Sequence, residues 1–167
     1  MELYLMRHGI AEAPESEARK ADARRRLTPE GSAKVRRIAR SLRRMKIDFD
    51  LILSSPLLRS RITAEIVAEE LTLGKKLEIT PLLAPDGPLE ELVRDLGSRL
   101  AGRESILLVG HEPSLSTLVS MLISGNTRSG IMLKKGGICK LAIERIRYGR
   151  CATMEWLLAP AQMTRLQ

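Results

Sequence analysis

Apolar positions along this chain switch repeatedly between two spacings. Short, nearly continuous apolar runs occupy Glu2 to Met6, Asp50 to Ser54 and Ser105 to Val109, with the length and composition of buried strands. Between them the apolar residues recur every three or four positions. Val35, Ile38, Leu42 and Met45 follow Thr28-Pro29, a pair that supplies a helix cap and a first helical residue. Leu58, Ile62, Ile66 and Val67 mark a helix opened by Pro56, and Leu89, Leu92, Val93, Leu96 and Leu100 mark one from about Pro88 to Leu100. Leu115, Leu118, Val119, Leu122 and Ile123 mark a fourth, opening at Pro113 and stopping near Gly125-Asn126, a common helix-ending pair. A short extended piece lies near Leu77 to Ile79. Gly137 to Ile146 and Cys151 to Leu158 read as the arms of a hairpin turning near Tyr148-Gly149. Alternation of strand and helix predicts an α/β fold: a three-layer α/β/α sandwich with a mostly parallel central sheet.

The segment Ala11 to Leu27 fits neither spacing; it is polar, basic and too long for a simple connector, as loops that serve a site often are. At 167 residues the chain reads as one domain, 1–167, with a tail expected to fray from about residue 159.

Charge narrows the class of partner. Lys plus Arg is 28 against 20 acids, a net charge of +8, which favours phosphorylated compounds, acidic protein faces or nucleic acid. One Trp, two Tyr and one Phe are too few for the stacking platforms of single-strand and RNA binders, so nucleic acid is the least expected of these. No apolar run approaches the roughly 20 residues of a membrane span. The start MELYLMRHG places Glu2 and Arg7 where a signal peptide carries a basic start and a long apolar stretch, and a cytoplasmic location is expected. The hairpin register puts Cys139 opposite a residue near Leu158 rather than Cys151, which predicts two reduced cysteines and no disulfide.

Three loops carry chemistry, each following a strand: Arg7-His8-Gly9, Ser54-Ser55-Pro56-Leu57-Leu58-Arg59, and Gly110-His111-Glu112-Pro113. The chain's two histidines both fall just past a strand, where α/β sheets keep their ligands. A neutral imidazole attacks phosphorus, and its ordinary pKa of about 6.5 keeps it neutral near physiological pH. Arg7 offers a planar fork of donors to phosphate oxygens, and Gly9 lets backbone approach an anion. Arg59 sits in the first turn of a helix, whose free N–H groups and dipole attract anions. Singly, each has a plainer reading: a structural histidine, a solvated arginine. Their joint appearance in this order favours the chemical one.

The chain resembles the histidine phosphatase superfamily, which includes the phosphoglycerate mutases, and within it the small SixA-type phosphohistidine phosphatases. The likeness spans nearly the whole length and rests on LMRHG at Leu5 to Gly9, LTPEG at Leu27 to Gly31, SSPLLRSRITAEI at Ser54 to Ile66, and LLVGHEP at Leu107 to Pro113. It implies that His8 is phosphorylated, that Arg7 and Arg59 hold the phosphoryl oxygens, that His111 completes the pocket, and that neither metal nor cofactor takes part. Relatives commonly have Gln where Ile62 stands. Many also carry a carboxylic acid proton donor after the third strand, where this chain has Pro81-Leu82-Leu83-Ala84-Pro85-Asp86-Gly87-Pro88. Asp86 is the candidate there, against a plain role as a turn residue before Gly87; Glu90 and Glu91 read as first-turn helix acids.

A weak proton donor suits phosphohistidine, which departs as neutral imidazole, better than phosphate monoesters, whose alkoxides need a general acid. The expected substrate is therefore a phosphohistidine-bearing relay or signalling protein. The rivals are a phosphatase for small monoesters and a silent phosphate- or nucleic-acid-binding module. Arg24-Arg25-Arg26 and Arg43-Arg44 read first as solvated faces and second as docking points for an acidic partner.

Overall fold

The computed structural model describes residues 1–14 and 19–165. Six strands form one sheet in the order β3-β2-β4-β1-β5-β6: β1 (Glu2–Arg7), β2 (Leu51–Ser54), β3 (Leu77–Ile79), β4 (Ser105–Gly110), β5 (Ile138–Ile143) and β6 (Ala152–Leu158). The first four run parallel and β5 joins β1 antiparallel. The mostly parallel sheet inferred from the alternation is what forms. The helices are α1 (Arg19–Ala23), α2 (Pro29–Arg44), α3 (Leu58–Glu70), α4 (Leu89–Arg99), α5 (Ser114–Ser124) and α6 (Pro160–Met163).

Successive strand residues face opposite sides, so each strand feeds two cores. Leu3, Leu5, Leu53, Ile106 and Leu108 pack with Leu92 and Leu96 of α4 and Leu115 and Leu118 of α5. Tyr4, Met6, Ile52, Leu107 and Val109 pack on the other side with Val35, Ile38 and Leu42 of α2, Ile66 and Val67 of α3, and Met163 of α6. Three layers result. Ile106, Leu107, Leu108 and Val109 of β4 are all fully buried, each contributing roughly 1.5–3 kcal/mol, and they anchor the residues that follow them. No described helix is long and apolar enough to cross a membrane.

Several expectations need correcting. The loop Ala11 to Leu27 is closed at its base: Ala11 bridges Leu27, and Thr28 N–H donates to Ile10 O at 2.9 Å. Its far part contains α1. The cap at Thr28 forms as read, its hydroxyl accepting Gly31 N–H at 2.9 Å. A Cβ on Gly31 would lie 2.1 Å from Ile10 O, so glycine is what lets the first turn of α2 lie against that strand exit. Met45 ends α2 and is 37% exposed; the apolar stripe stops a turn earlier. The third helix begins at Leu58, not Pro56, and its face differs from the one read. Leu58 and Ile62 are only partly buried, whereas Arg59, Ser60 and Thr63 are buried, because its first turns face a polar crevice rather than a core. The tail does not fray through its described part. Met163 is fully buried and its carbonyl accepts Ser41 Oγ–H at 2.7 Å. Cys139 pairs with Leu157, near Leu158 as read, with a bulge following between Lys140 and Leu141, and both cysteines are free thiols.

Candidate active site

Strands β1 and β4 are neighbours, with Arg7 beside Gly110 in register. The next major helix after β1, α2, packs on one face, and the one after β4, α5, on the other. Chains that leave adjacent strands toward opposite faces open a crevice at the strand ends. His8 and His111 are the first residues past those two strands. Their rings lie 5.2 Å apart between centroids, tilted by 53°. Strand β2 is also a neighbour of β4, and the turn after it delivers Ser55, Arg59 and Ser60 to the same place.

The two nitrogens of His8 have different partners. Nδ1 lies 2.7 Å from Gly9 O, an acceptor only, so Nδ1 carries the proton. Nε2 is then an unprotonated acceptor, and Arg59 Nε–H donates to it at 3.3 Å. The ring is buried. Burial, reinforced by the charges of Arg59, Arg7 and Lys135 and opposed by the Gly9 bond, pushes its pKa down to about 4. At neutral pH His8 therefore presents a bare Nε2 lone pair.

His111 is also buried and is pushed down to about 3, by burial first and then by His8 and Arg59. Its Nε2 lies 2.8 Å from Ser55 Oγ and 3.2 Å from Ser60 Oγ. Ser55 Oγ also accepts Leu57 N–H at 3.2 Å. The other ring nitrogen, Nδ1, is buried with no hydrogen-bond partner among the described residues. Arg7 Nε is in the same condition, while Arg7 Nη1 donates to Leu133 O at 3.0 Å. An unpaired buried polar atom costs about 1–3 kcal/mol.

Arg59 is buried, and its five N–H donors are divided. Nε serves His8; Nη1 donates to Asp22 O at 2.8 Å and Nη2 to Asp22 Oδ2 at 3.1 Å. Arg25 Nη1 donates to the other carboxylate oxygen at 2.9 Å, and its Nε to Glu12 O at 2.7 Å. Burial works against the Asp22 charge, but hydrogen bonds from Arg25 and Arg59 outweigh it and hold the carboxyl below the ordinary carboxylate range.

The structure thus brings together His8, Arg59 and His111, with Arg7 close enough for its charge to act on both rings. Gly9 serves differently from its reading: its N–H donates to Thr63 Oγ1 at 3.0 Å, and a Cβ would lie 2.7 Å from Val35 Cγ2. Its carbonyl, not its N–H, works on the site. Asp86 is exposed on a turn tied to α5 by Ser114 Oγ–H donating to Pro85 O at 2.9 Å. Sequence reasoning gave no role to Asp22, Ser55, Ser60, Thr63 or Lys135. The length of the loop was the one signal for Asp22, and buried hydroxyls on a helix leave no trace in hydrophobic periodicity. Arg25, read as a solvated charge, belongs to the same network.

The sequence pattern of the histidine phosphatase superfamily, branch 1, matches residues 3–84. An uncharacterized protein of Picosynechococcus is 38% identical over 142 residues, 84% of each chain. The phosphohistidine phosphatase SixA of Escherichia coli is 29% identical over 164 residues, 98% of this chain and 96% of the relative. The solved structure of the protein histidine phosphatase SixA complexed with tungstate superposes with a TM-score of 0.83 at 28% identity, covering 96% of this chain and 98% of that one.

Proposed function

Because the chain belongs to the histidine phosphatase superfamily and is a phosphatase, we propose that its substrate is phosphohistidine carried on a relay or signalling protein in the cytoplasm, and that His8 takes the phosphoryl group. One observation carries this reading. The carboxylate built into the site, Asp22, is held as an anion by two guanidinium groups and has no proton to give. A phosphate monoester leaves as an alkoxide and needs such a proton. Phosphohistidine whose second ring nitrogen is protonated leaves as neutral imidazole and needs none. The likeness to SixA over nearly the full length supports the same substrate class.

In this mechanism His8 Nε2 attacks phosphorus as the bond to the substrate imidazole breaks. His8 becomes an Nε2-phosphorylated imidazolium whose Nδ1–H stays on Gly9 O. The inner edge of Arg59, Arg7 Nε–H and His111 in its Nδ1-protonated form receive the phosphoryl oxygens as charge shifts among them. Water then attacks phosphorus, His8 departs as the neutral ring it was, and both water protons leave with inorganic phosphate or solvent. His8 neither gains nor loses a proton in the cycle.

The test offers a phosphohistidine-bearing protein and a panel of phosphate monoesters side by side. Faster turnover of the protein, abolished by His8→Ala, is the expected result. Faster turnover of monoesters, lost in Asp86→Asn, overturns the assignment in favour of a small-molecule phosphatase.

A further inference from the structure

Asp22 touches the arginine nearest the nucleophile twice and touches neither histidine. Its main-chain carbonyl takes Arg59 Nη1 and its Oδ2 takes Nη2, while Oδ1 takes Arg25 Nη1. Both Arg59 bonds fall at the far end of the guanidinium. The Nε–H remains turned to His8 Nε2 at 3.3 Å, and among the described residues one hydrogen stays free on each terminal nitrogen. Side-on binding of a phosphoryl group requires the Nε–H together with one of those free hydrogens. Rotation of the guanidinium about its stem would remove that edge from His8, and the two bonds to Asp22 oppose it. The same carboxylate places one negative charge among the positive charges of Arg7, Arg25 and Arg59; burial first, and then Arg25 and Arg7, push the Arg59 pKa down, and Asp22 opposes them.

We propose that Asp22 is a positioning residue for phosphoryl transfer, aiming the inner edge of Arg59 at the phosphoryl group on His8 and weakening the hold of the arginines on product phosphate. It rests on the reading above only in taking His8 as the phosphoryl acceptor. Asp22 combines two effects that substitution separates. Asp22→Asn removes the charge and keeps an acceptor; Asp22→Glu keeps the charge and displaces it by one methylene.

The experiment measures two quantities on the folded variants: calorimetric affinity for inorganic phosphate, and kcat on the phosphohistidine protein. With the restraining anion gone, Asp22→Asn is expected to bind phosphate several-fold more tightly. Asp22→Glu is expected to keep near-native phosphate affinity but to lose about 10-fold in kcat, since displacement of a positioning group by an ångström costs up to about 100-fold. A purely structural role would lower stability without separating the two readouts. Native phosphate affinity in Asp22→Asn, or native kcat in Asp22→Glu, overturns the proposal. Should either variant fail to fold, Arg25→Gln, which releases Oδ1 without touching Arg59, must lower kcat several-fold, and an unchanged kcat there counts equally against it. Phosphate binding needs no substrate, so an enzyme inert toward phosphohistidine would refute the substrate assignment while leaving Asp22 to be judged by calorimetry.

Discussion

Two neutral imidazoles buried among arginines tie the protein's stability to pH. An unfolded histidine titrates near 6.5, whereas His8 and His111 in the fold are pushed down to about 4 and about 3. Above pH 6.5 the rings are neutral in both states and the fold keeps its full stability. As pH falls from about 6.5 toward about 4, the unfolded chain takes up protons that the folded chain refuses, so unfolding becomes easier. The melting temperature of the ligand-free protein should therefore fall steadily across that interval. A His8→Gln/His111→Gln variant should show a shallower slope there, and an equally steep one would mean that other groups control acid sensitivity.

At the scale of elements, the exit of β1 is pressed against α2. Gly9 lies where a methyl group would meet Val35 Cγ2 at 2.7 Å, and its carbonyl fixes the proton on His8. Gly9→Ala forces the strand exit and the helix apart, and overpacking of this kind costs about 1–3 kcal/mol. Urea denaturation measures the loss. Adding Val35→Ala should recover part of it, because the two sites share one contact; strictly additive effects would show that the clash is relieved elsewhere. Activity should fall with Gly9→Ala beyond what stability explains, since moving Gly9 O also moves the His8 ring.

Across the whole molecule the net charge is +8, and two arginine pairs lie at different distances from the site. Arg24 and Arg26 are exposed on the loop that carries Asp22, at the crevice end of the sheet. Arg43 and Arg44 close the 16-residue helix α2, and at 1.5 Å per residue they lie about 24 Å toward the opposite end. If an acidic protein docks at the crevice, Arg24→Glu/Arg26→Glu should lower kcat/KM for it and Arg43→Glu/Arg44→Glu should not. The wild-type value should also fall steeply as ionic strength rises from about 0.01 M to about 1 M and the screening length shrinks from ~30 Å to ~3 Å. Equal effects of the two pairs, or indifference to salt, would remove docking by surface charge.

Taken alone, the amino-acid order determined the strands, helices α2 to α5 and their layering, because apolar period and buried area are properties of local sequence that the core then enforces; the short helices α1 and α6 carry too little period to be read. It also marked His8, Arg59 and His111, which stand at strand and helix ends where the pattern breaks. It misjudged α3, where Arg59, Ser60 and Thr63 are buried because the facing surface is a crevice between two strands distant in sequence. Tertiary structure alone decided which nitrogen of His8 bears its proton and what restrains Arg59. Those depend on Gly9 O and the Asp22 carboxylate arriving within hydrogen-bond reach, a matter of a few tenths of an ångström that no periodicity encodes.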